Sequence, residues 1–426
     1  MKLQEKIALG LGKAWIHSVA AAEQLIHGAS IDLLSVDLAH DPYPTLNRLR
    51  ESHPFFYTRT TRSTWVTRFD HVQEILRDKR FGADVRKYPD RVKRITRHFN
   101  EEERAVFDNP SMLDLDPPDH SRIRRLAQQG FVQKFIASLE PDIRQIVEDC
   151  FASVSNQPTI DIVETLAKPL PAIVIARMMG LPETDLEQFQ RWSEDLIDGS
   201  STNDVEKVQR SNRASRKLRQ YFADLVRSRR GQPGDDLVGR LIAAEEEGDK
   251  LTEIELYNTC FLLLVAGHET TTRLIGNGLW LLLSHPEQFE WLKANPERVP
   301  LAVEEMLRFE PPVQATRRFA TEDIEFHGHS FKRGDFIFVS LAGANRDPRA
   351  NPDPESFDVR RETVNQIGFG YGIHLCLGIT LARLEAKVAF EELLTRFPNM
   401  TLTSDTPTWG DTLIFRGLRK LEIDPG

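Results

Sequence analysis

One cysteine of this chain lies in a glycine-rich segment directly before a predicted helix. Residues 369–378 read FGYGIHLCLG, and helical spacing begins at Ile379. The positive end of a helix and its free backbone N–H groups stabilise a thiolate at Cys376, and the thiolate is the form of a thiol that binds metals. The glycines remove side-chain bulk, so a flat group can lie against the backbone. The segment therefore predicts a metal ligand; the alternative is a small cysteine buried in a glycine-rich turn.

A second segment places proton-bearing side chains in the middle of an apolar helix. Residues 252–284 lack proline and predict one helix about 50 Å long, at about 1.5 Å per residue. In its middle, the apolar FLLLV at 261–265 is followed by AGHETTT. An interior glycine costs a helix about 1 kcal/mol, and a buried acid or hydroxyl needs a hydrogen-bond partner. This break of local rules indicates a functional role for the segment, with a threonine-rich exposed helix as the alternative.

Both segments resemble motifs of the cytochrome P-450 family. FGYGIHLCLG is similar to the family's heme-binding loop, whose single cysteine is the axial iron ligand, and AGHETT is similar to its dioxygen-facing motif. In that motif a local widening of the helix makes room for dioxygen. The resemblance runs from about residue 41 to the end of the chain, with a small departure at NQIG, residues 365–368. It implies heme contacts by Phe369, Gly370, Gly378, Ala266 and Gly267, iron ligation by Cys376, and catalysis by Glu269 and Thr270.

The resemblance also assigns two sets of charged residues. Glu305 and Arg308, followed by Arg361, are similar to a buried network that fixes the cysteine loop. Without the family context, a Glu-x-x-Arg pair is common on solvated helices and contributes little. The two propionates of a heme need cations, and each candidate taken alone is equally well explained as a surface cation. Four residues match the family positions for these contacts: His120, Arg124, Arg318 and His374.

Helical spacing dominates the chain, and strand-like pieces are short. The pattern predicts a mainly α protein with minor β structure, including strands at residues 55–58, 324–326, 336–340 and 413–415 and a helix at residues 160–179. The resemblance implies the cytochrome P-450 fold, as a single large heme-enclosing domain at residues 39–426. Residues 1–38 form a predicted N-terminal helical extension. That helix is amphipathic, which fits packing on the body or a peripheral membrane or partner contact.

Composition narrows the possible classes of function. The chain has 55 basic and 64 acidic residues, for a net charge of −9, which argues against a general nucleic-acid binder. Its three cysteines, at positions 150, 260 and 376, are too few and too scattered for a disulfide framework, so a reducing, cytoplasmic location is expected. No apolar run approaches the ~20 residues that a bilayer span needs, so no transmembrane anchor is expected.

The resemblance implies a heme-thiolate monooxygenase. The expected reaction is hydroxylation of a small hydrophobic substrate by dioxygen, with heme b as cofactor and two electrons from a ferredoxin-type donor and its reductase. A monomer is expected. A basic patch at Arg122, Arg125 and Lys134 would receive an acidic donor, or it is an ordinary solvated face. Peroxide-using enzymes, lipid isomerases and non-enzymatic heme sensors are the rival classes. The expected walls of the substrate pocket include Leu263, Val313, Ile414 and Phe415.

A separate feature is the basic segment at residues 80–98. It carries seven Lys or Arg residues against only two Asp, with an apolar stripe between them. One hypothesis is that this segment receives an anionic amphiphile such as a fatty acid. A solvated helix face explains the charges equally well, and the sequence leaves both readings open.

Overall fold

The computed structural model describes residues 3–152, 154, 157–200, 204–232, 234–246 and 251–426. Helices dominate it, and the mainly α prediction with minor β structure is confirmed. The helices are α1 Leu3–His27, α2 Val36–His40, α3 Tyr43–Ser52, α4 Phe69–Arg77, α5 Pro89–Ile95, α6 Glu101–Asp108, α7 Asp119–Ala127, α8 Gln133–Ser138, α9 Glu140–Ala152, α10 Pro169–Met179, α11 Leu186–Ser200, α12 Val205–Arg229, α13 Leu237–Glu246, α14 Glu253–Leu283, α15 Pro286–Ala294, α16 Val299–Phe309, α17 Leu341–Asn345 and α18 Ile379–Arg396.

The strands are short and form four small sheets in the described part of the chain. They are β1 Phe55–Thr58, β2 Ser63–Val66, β3 Phe81–Gly82, β4 Ile160–Asp161, β5 Ala315–Ala320, β6 Ile324–Phe326, β7 His329–Phe331, β8 Phe336–Ser340, β9 Thr401–Leu402, β10 Thr408–Trp409, β11 Leu418–Lys420 and β12 Glu422–Asp424. Five of them form one sheet in the order β1-β2-β8-β5-β3. Its β2–β8 pair is parallel, and its other pairs are antiparallel. Strand β5, between β8 and the edge strand β3, carries Arg318, paired with Ile337 of β8.

The long helix α14 crosses the core and organises the helices around it. Thr252 caps its N-terminus, and the Glu255 side chain accepts a hydrogen bond from the Thr252 backbone N–H, as in a capping box. Towards its other end, a Cβ atom at Gly278 would lie 2.6 Å from Met306 Sδ of α16 and 2.8 Å from Phe390 of α18. The glycine therefore lets three helices approach closely enough for α18, the helix that follows Cys376, to pack on α14.

Two predicted elements are wrong. The helix predicted at residues 160–179 is instead strand β4, a π-helical turn at Val163–Ala167 and then α10. The strand forms because Ile160 pairs with Ile423 of β12, and the new helix starts at Pro169, which has no N–H to continue the preceding turn. The strand predicted at residues 413–415 is reduced to one isolated bridge between Val313 and Phe415.

The N-terminal helix α1 is attached to the sheet by a buried carboxylate. Glu23 accepts a 2.8 Å hydrogen bond from Thr58 Oγ1 and a 2.7 Å bond from the Arg59 backbone N–H, at the end of β1. Helix α2 crosses the boundary expected between residues 38 and 39, and that boundary stays a prediction. Within the described ranges, no helix is long and apolar enough to cross a bilayer.

Candidate functional site

The cysteine loop is folded tightly on itself and against α4. The Cys376 backbone N–H donates a 2.9 Å hydrogen bond to the Phe369 carbonyl, which closes the loop. Gly370 and Gly372 have φ angles of +73° and +70°, a region that favours glycine. A Cβ atom at Gly372 would also collide with the backbone carbonyl of Leu76 on α4. The glycines are therefore required by the backbone conformation and by this close approach.

Cys376 is a free, half-buried thiol in a positively charged environment. Burial raises the pKa of the thiol, and the backbone N–H of Gly378 and the guanidinium groups of Arg124 and Arg383 oppose that rise. Helix α18 begins immediately after Gly378, so its positive end also faces the sulfur. In the described part of the chain, no three His, Cys, Asp or Glu side chains are grouped to hold a metal ion. Cys376 thus offers one free thiol as a metal ligand, which is the ligand pattern of a heme-thiolate centre.

Arg383 is held beside the thiol by Glu304, which also binds Gln366 of the departing segment. Glu304 of α16 accepts a 2.7 Å hydrogen bond from Arg383 Nε and a 2.9 Å bond from Gln366 Nε2. The Arg383 guanidinium carbon also lies 5.2 Å from the centre of the Phe369 ring. The Gln366 amide oxygen accepts a bond from the Gly368 backbone N–H at 2.6 Å. The unusual NQIG segment therefore ties the cysteine loop to α16.

The four predicted propionate ligands are brought together around the loop. The His120 and His374 rings lie 4.2 Å apart, and the Arg124 guanidinium donates a 2.6 Å hydrogen bond to the Leu375 carbonyl. Arg318 is only 4% exposed, and His120 Nδ1 is buried with no hydrogen-bond partner. Among the described residues, no carboxylate forms an ion pair with Arg124 or Arg318. Buried cations that lack counter-charges fit a ligand bearing carboxylates, as the two propionates of a heme do.

The charge of this cluster comes from its arginines. Burial lowers the pKa of His374 to about 3, with further lowering by Arg318 and by His120. Burial also lowers the pKa of His120, and Arg124 adds to that effect. Both imidazoles are therefore neutral at pH 7 and available as hydrogen-bond donors, while Arg124 and Arg318 carry the positive charge.

The predicted Glu305–Arg308–Arg361 network is fully buried at its centre. Two bonds of 2.6 and 2.8 Å join Arg308 to Glu305, and both side chains have zero exposure. Arg361 Nε adds a 3.2 Å bond to Glu305. Arg308 also donates to the Asn345 carbonyl, and the Asn345 amide oxygen accepts a 2.8 Å bond from Ile367 N–H, close to the cysteine loop. The network therefore connects α16 to the segment that precedes Cys376.

Glu269 and Thr270 lie on α14, but their side chains point to different partners. The Glu269 carboxylate accepts a 3.2 Å hydrogen bond from Arg273 and lies 3.6 Å from His268 Nε2. Thr270 Oγ1 donates a 3.2 Å hydrogen bond to the Ala266 carbonyl within the helix. The helix is continuous α-helix from Glu253 to Leu283, so the widening that the resemblance implies is absent from this structure. In this arrangement Glu269 is held by Arg273, and Thr270 by the helix backbone.

One side of α14 is more exposed than most of the helix middle. Ala266 is exposed, and Phe261, Leu262, Val265 and Thr270 are partly exposed. Leu262, Ala266 and Thr270 are spaced four residues apart and share one side of the helix, with Val265 next to it, and these four residues are called the open stripe. Gly267 lies on another side, where a Cβ atom would come within 2.8 Å of Ile175 on α10. Gly267 therefore serves the packing of α14 on α10 in this structure, and its contact with heme stays a prediction.

Three of the four predicted pocket residues occur on two paired segments. Val313 bridges to Phe415, and the Gln314 backbone N–H donates a 2.9 Å bond to the Ile414 carbonyl. Val313, Ile414 and Phe415 are all partly exposed, as pocket walls require. The fourth, Leu263, is buried in a different hydrophobic cluster, beside the exposed stripe rather than on it. Leu262 and Val265 are partly exposed where Leu263 is buried, and the four-residue spacing of Leu262 from Ala266 was the available signal.

Sequence reasoning missed a fully buried carboxyl next to the site. Glu385 of α18 has zero exposure, and neither carboxylate oxygen has a hydrogen-bond partner within normal geometry. Burial raises its pKa to about 8, and the Thr271 hydroxyl of α14 offsets part of that rise. The available signal was an acid at a core position of α18, on the same face as Leu381 and Val388.

The basic segment at residues 80–98 is partly neutralised by local partners. Short ion pairs join Arg80 to Asp78, Arg86 to Asp84 and Lys87 to Asp116. The Arg91 guanidinium carbon lies 5.8 Å from the centres of the Phe319 and Phe336 rings. Five cations of the segment are exposed: Arg80, Lys87, Lys93, Arg94 and Arg97.

Comparisons with known proteins agree with this geometry. The family model described as Cytochrome P450 matches residues 33–409. The chain is 40% identical over 393 residues to the polyketide biosynthesis cytochrome P450 PksS of Bacillus subtilis (strain 168), covering 90% of this chain and 96% of that protein. It is 39% identical over 399 residues to the cytochrome P450 monooxygenase PikC of Streptomyces venezuelae, covering 92% of each.

A solved structure gives the same result in three dimensions. The myxobacterial cytochrome P450 CYP267B1, in complex with myristic acid, matches with a TM-score of 0.84 at 38% identity, over 92% of this chain and 98% of that one. Sequence, fold and the free thiol with its surrounding cations therefore agree. The chain belongs to the cytochrome P450 family and is a heme-dependent monooxygenase.

Proposed function

We propose that this enzyme hydroxylates a small hydrophobic organic substrate, using dioxygen and two electrons delivered by a separate protein. The observation that carries the proposal is the environment of Cys376, a single free thiol with Arg124, Arg383 and a helix N-terminus around it. When bound, heme with a thiolate ligand supplies the activation of dioxygen and the oxidation of unactivated C–H bonds.

The cofactor that we propose is heme b, held without covalent attachment to the porphyrin. His120, Arg124, Arg318 and His374 would hold its propionates. Cys376 would be the iron ligand, and the three cysteines form no Cys-x-x-Cys-His attachment motif. The free state of all three cysteines supports a cytoplasmic location, and we propose that the enzyme acts there as a monomer.

We assign proton delivery to Thr270 and Glu269. Rotation about the Thr270 side-chain bond would turn its hydroxyl from the Ala266 carbonyl towards the open face of α14. Glu269 would pass protons to that hydroxyl after release from Arg273. Each transfer is a general-acid step, and a positioned acid typically contributes about 10²–10⁴-fold to a rate.

The proposed electron donor is a ferredoxin-type protein with its reductase. The surface beside the cysteine loop exposes the cations Arg125 and Lys134 together with the apolar side chains of Val132, Phe135 and Ile373. Arg122 is engaged by Glu255 at 2.6 Å, so it contributes less to this surface than the sequence indicated. A basic rim around an apolar centre suits docking by an acidic partner.

Oxygen-isotope labelling tests the proposal against its rivals. The holoenzyme is supplied with ¹⁸O₂, a ferredoxin, its reductase and a reduced nicotinamide, and a panel of hydrophobic compounds is screened for products. A monooxygenase places one ¹⁸O atom in the product and requires the electron donor. Peroxide-driven turnover without the donor would identify a peroxygenase, isomerisation without label would identify an isomerase, and heme binding without any product would favour a sensor.

A further inference from the structure

Arg219 of α12 is turned inward against α14 and has an incomplete set of partners. Its Nη1 donates a hydrogen bond to Asn258 Oδ1, and its guanidinium carbon lies 5.0 Å from the centre of the Phe261 ring. Its Nε is buried with no hydrogen-bond partner. Throughout the ranges that the structure describes, no carboxylate forms an ion pair with this guanidinium. Arg219 is partly exposed, but its guanidinium lies largely inside the fold, where cations are normally paired, so this one needs an explanation.

The other inward contacts of α12 show what a structural arginine looks like in this chain. Arg210 reaches Asp195 at 3.0 Å, and Arg229 reaches Asp236 at 2.9 Å. For Arg219, burial lowers the pKa, and no acid opposes that effect. The neutral Asn258 cannot supply the missing charge. Asn258 is itself oriented, because its Nδ2 donates a 2.6 Å hydrogen bond to the Asn109 carbonyl.

Arg219 stands at one end of the open stripe of α14. Its two contacts on that helix, Asn258 and Phe261, directly precede the partly exposed residues Leu262 and Val265. From Asn258 to Ala266 the distance along the axis is about 12 Å, at about 1.5 Å per residue. The end of α6 also reaches this point through Asn109. The guanidinium thus lies where three elements meet, at the far end of an apolar surface from the oxidation site.

We propose that Arg219 is a specificity-determining residue that binds the carboxylate of an elongated amphiphilic acid whose apolar chain lies along the open stripe of α14. Two guanidinium nitrogens can bind a carboxylate in a charge-assisted pair, which is strong when water is excluded. The Phe261 ring would hold the guanidinium plane in place. The inference rests on the proposed function and adds the class of substrate. It also makes Arg219, rather than the basic segment at residues 80–98, the group that binds the carboxylate of the substrate.

Direct binding tests the inference without electron transfer. The holoenzyme is titrated calorimetrically with dodecanoate and with dodecan-1-ol, which differ mainly in the head group. The wild type should bind dodecanoate at least about tenfold more tightly. Arg219→Gln should weaken dodecanoate binding about ten- to hundredfold and change dodecanol binding less than about twofold, since only the charged hydrogen bonds are lost. Arg219→Lys should retain part of the preference and covers the case that the Gln variant does not fold.

Two control variants separate this site from other cations. Arg213→Gln, an exposed residue on the same helix, should leave both affinities unchanged. Arg94→Gln tests the basic segment. Equal affinities of the wild type for acid and alcohol would overturn the inference, as would a preference lost in Arg94→Gln and kept in Arg219→Gln. Failure of the proposed oxidation with an intact acid preference would reject the function and leave this binding site standing.

Discussion

Two buried glutamates near the site differ in their ion-pair and hydrogen-bond partners. Glu305 is ionically paired and hydrogen-bonded on both oxygens, whereas Glu385 is equally buried and has neither kind of partner. A buried carboxyl without a counter-charge holds its proton, and this is why burial raises the pKa of Glu385 to about 8. At pH 7, Glu385 is therefore a neutral acid beside Thr271.

A pH-dependent stability measurement checks the state of Glu385. Because its pKa lies above the ordinary value of 4.5, the unfolded chain releases this proton first, and the free energy of unfolding falls as pH rises from 4.5 to about 8. In Glu385→Gln this decline in the free energy of unfolding should be smaller by roughly 3–5 kcal/mol. Near pH 5 the variant and the wild type should have the same free energy of unfolding. Urea unfolding from pH 5 to 9 measures this free energy at each pH. If its dependence on pH is the same for the two proteins, Glu385 is not protonated in the folded state.

Thr270 gives a second prediction at this scale. Thr270→Ala should still bind heme, because the side chain only bonds the Ala266 carbonyl. It should lose proton delivery, so that product formed per electron pair falls roughly tenfold or more and peroxide accumulates instead. Thr270→Ser keeps the hydroxyl and should stay near wild type. Unchanged coupling in the alanine variant would remove Thr270 from the mechanism.

At the scale of elements, the cysteine loop depends on contacts from several helices. Glu305 and Arg308 of α16 hold the chain before the loop, Glu304 positions Arg383 of α18, and Gly372 packs on α4. Loops of this length are ordinarily mobile, and these contacts fix the thiol in one position.

Breaking the buried network should uncouple these elements. Glu305→Ala leaves Arg308 charged and unpaired at zero exposure, which typically costs about 3–5 kcal/mol. We expect poor heme incorporation and a lowered melting temperature. Glu290→Ala is the matched control, because its 2.7 Å pair with Lys293 has the same i,i+3 spacing but lies in solvent, where about 0–1 kcal/mol is expected. Equal effects of the two substitutions on heme content and melting temperature would contradict the role of the network.

The whole molecule is acidic, yet the surface around the cysteine loop is locally basic. The net charge is −9, while Arg125 and Lys134 are exposed beside the loop. Reduction by an acidic ferredoxin should slow several-fold as salt rises, because exposed charges are screened beyond about 10 Å at 0.1 M. The double variant Arg125→Gln, Lys134→Gln should be slower at low salt and nearly salt-independent, with Arg213→Gln as control. Stopped-flow reduction measures this, and identical salt profiles would exclude the patch.

Much of the fold and site was predictable because the signals are local. The cysteine loop, the long helix and strands such as β1 and β8 follow from short-range spacing, and the resemblance placed the charged partners. Glu385, Arg219 and the β4 pairing were not predictable in this way. Whether an isolated polar side chain is buried, or whether Ile160 finds a partner strand, is decided by segments far away along the chain.

The thiolate ligation of heme by Cys376 is the central claim, and one spectrum tests it most directly. The holoprotein is reduced, exposed to carbon monoxide and examined for the red-shifted Soret band of a thiolate-ligated heme. The wild type and Cys150→Ala should show the band, because Cys150 is remote from the site. Cys376→Ala should lose it. A wild-type spectrum without the band, or a band that survives in Cys376→Ala, would contradict the account.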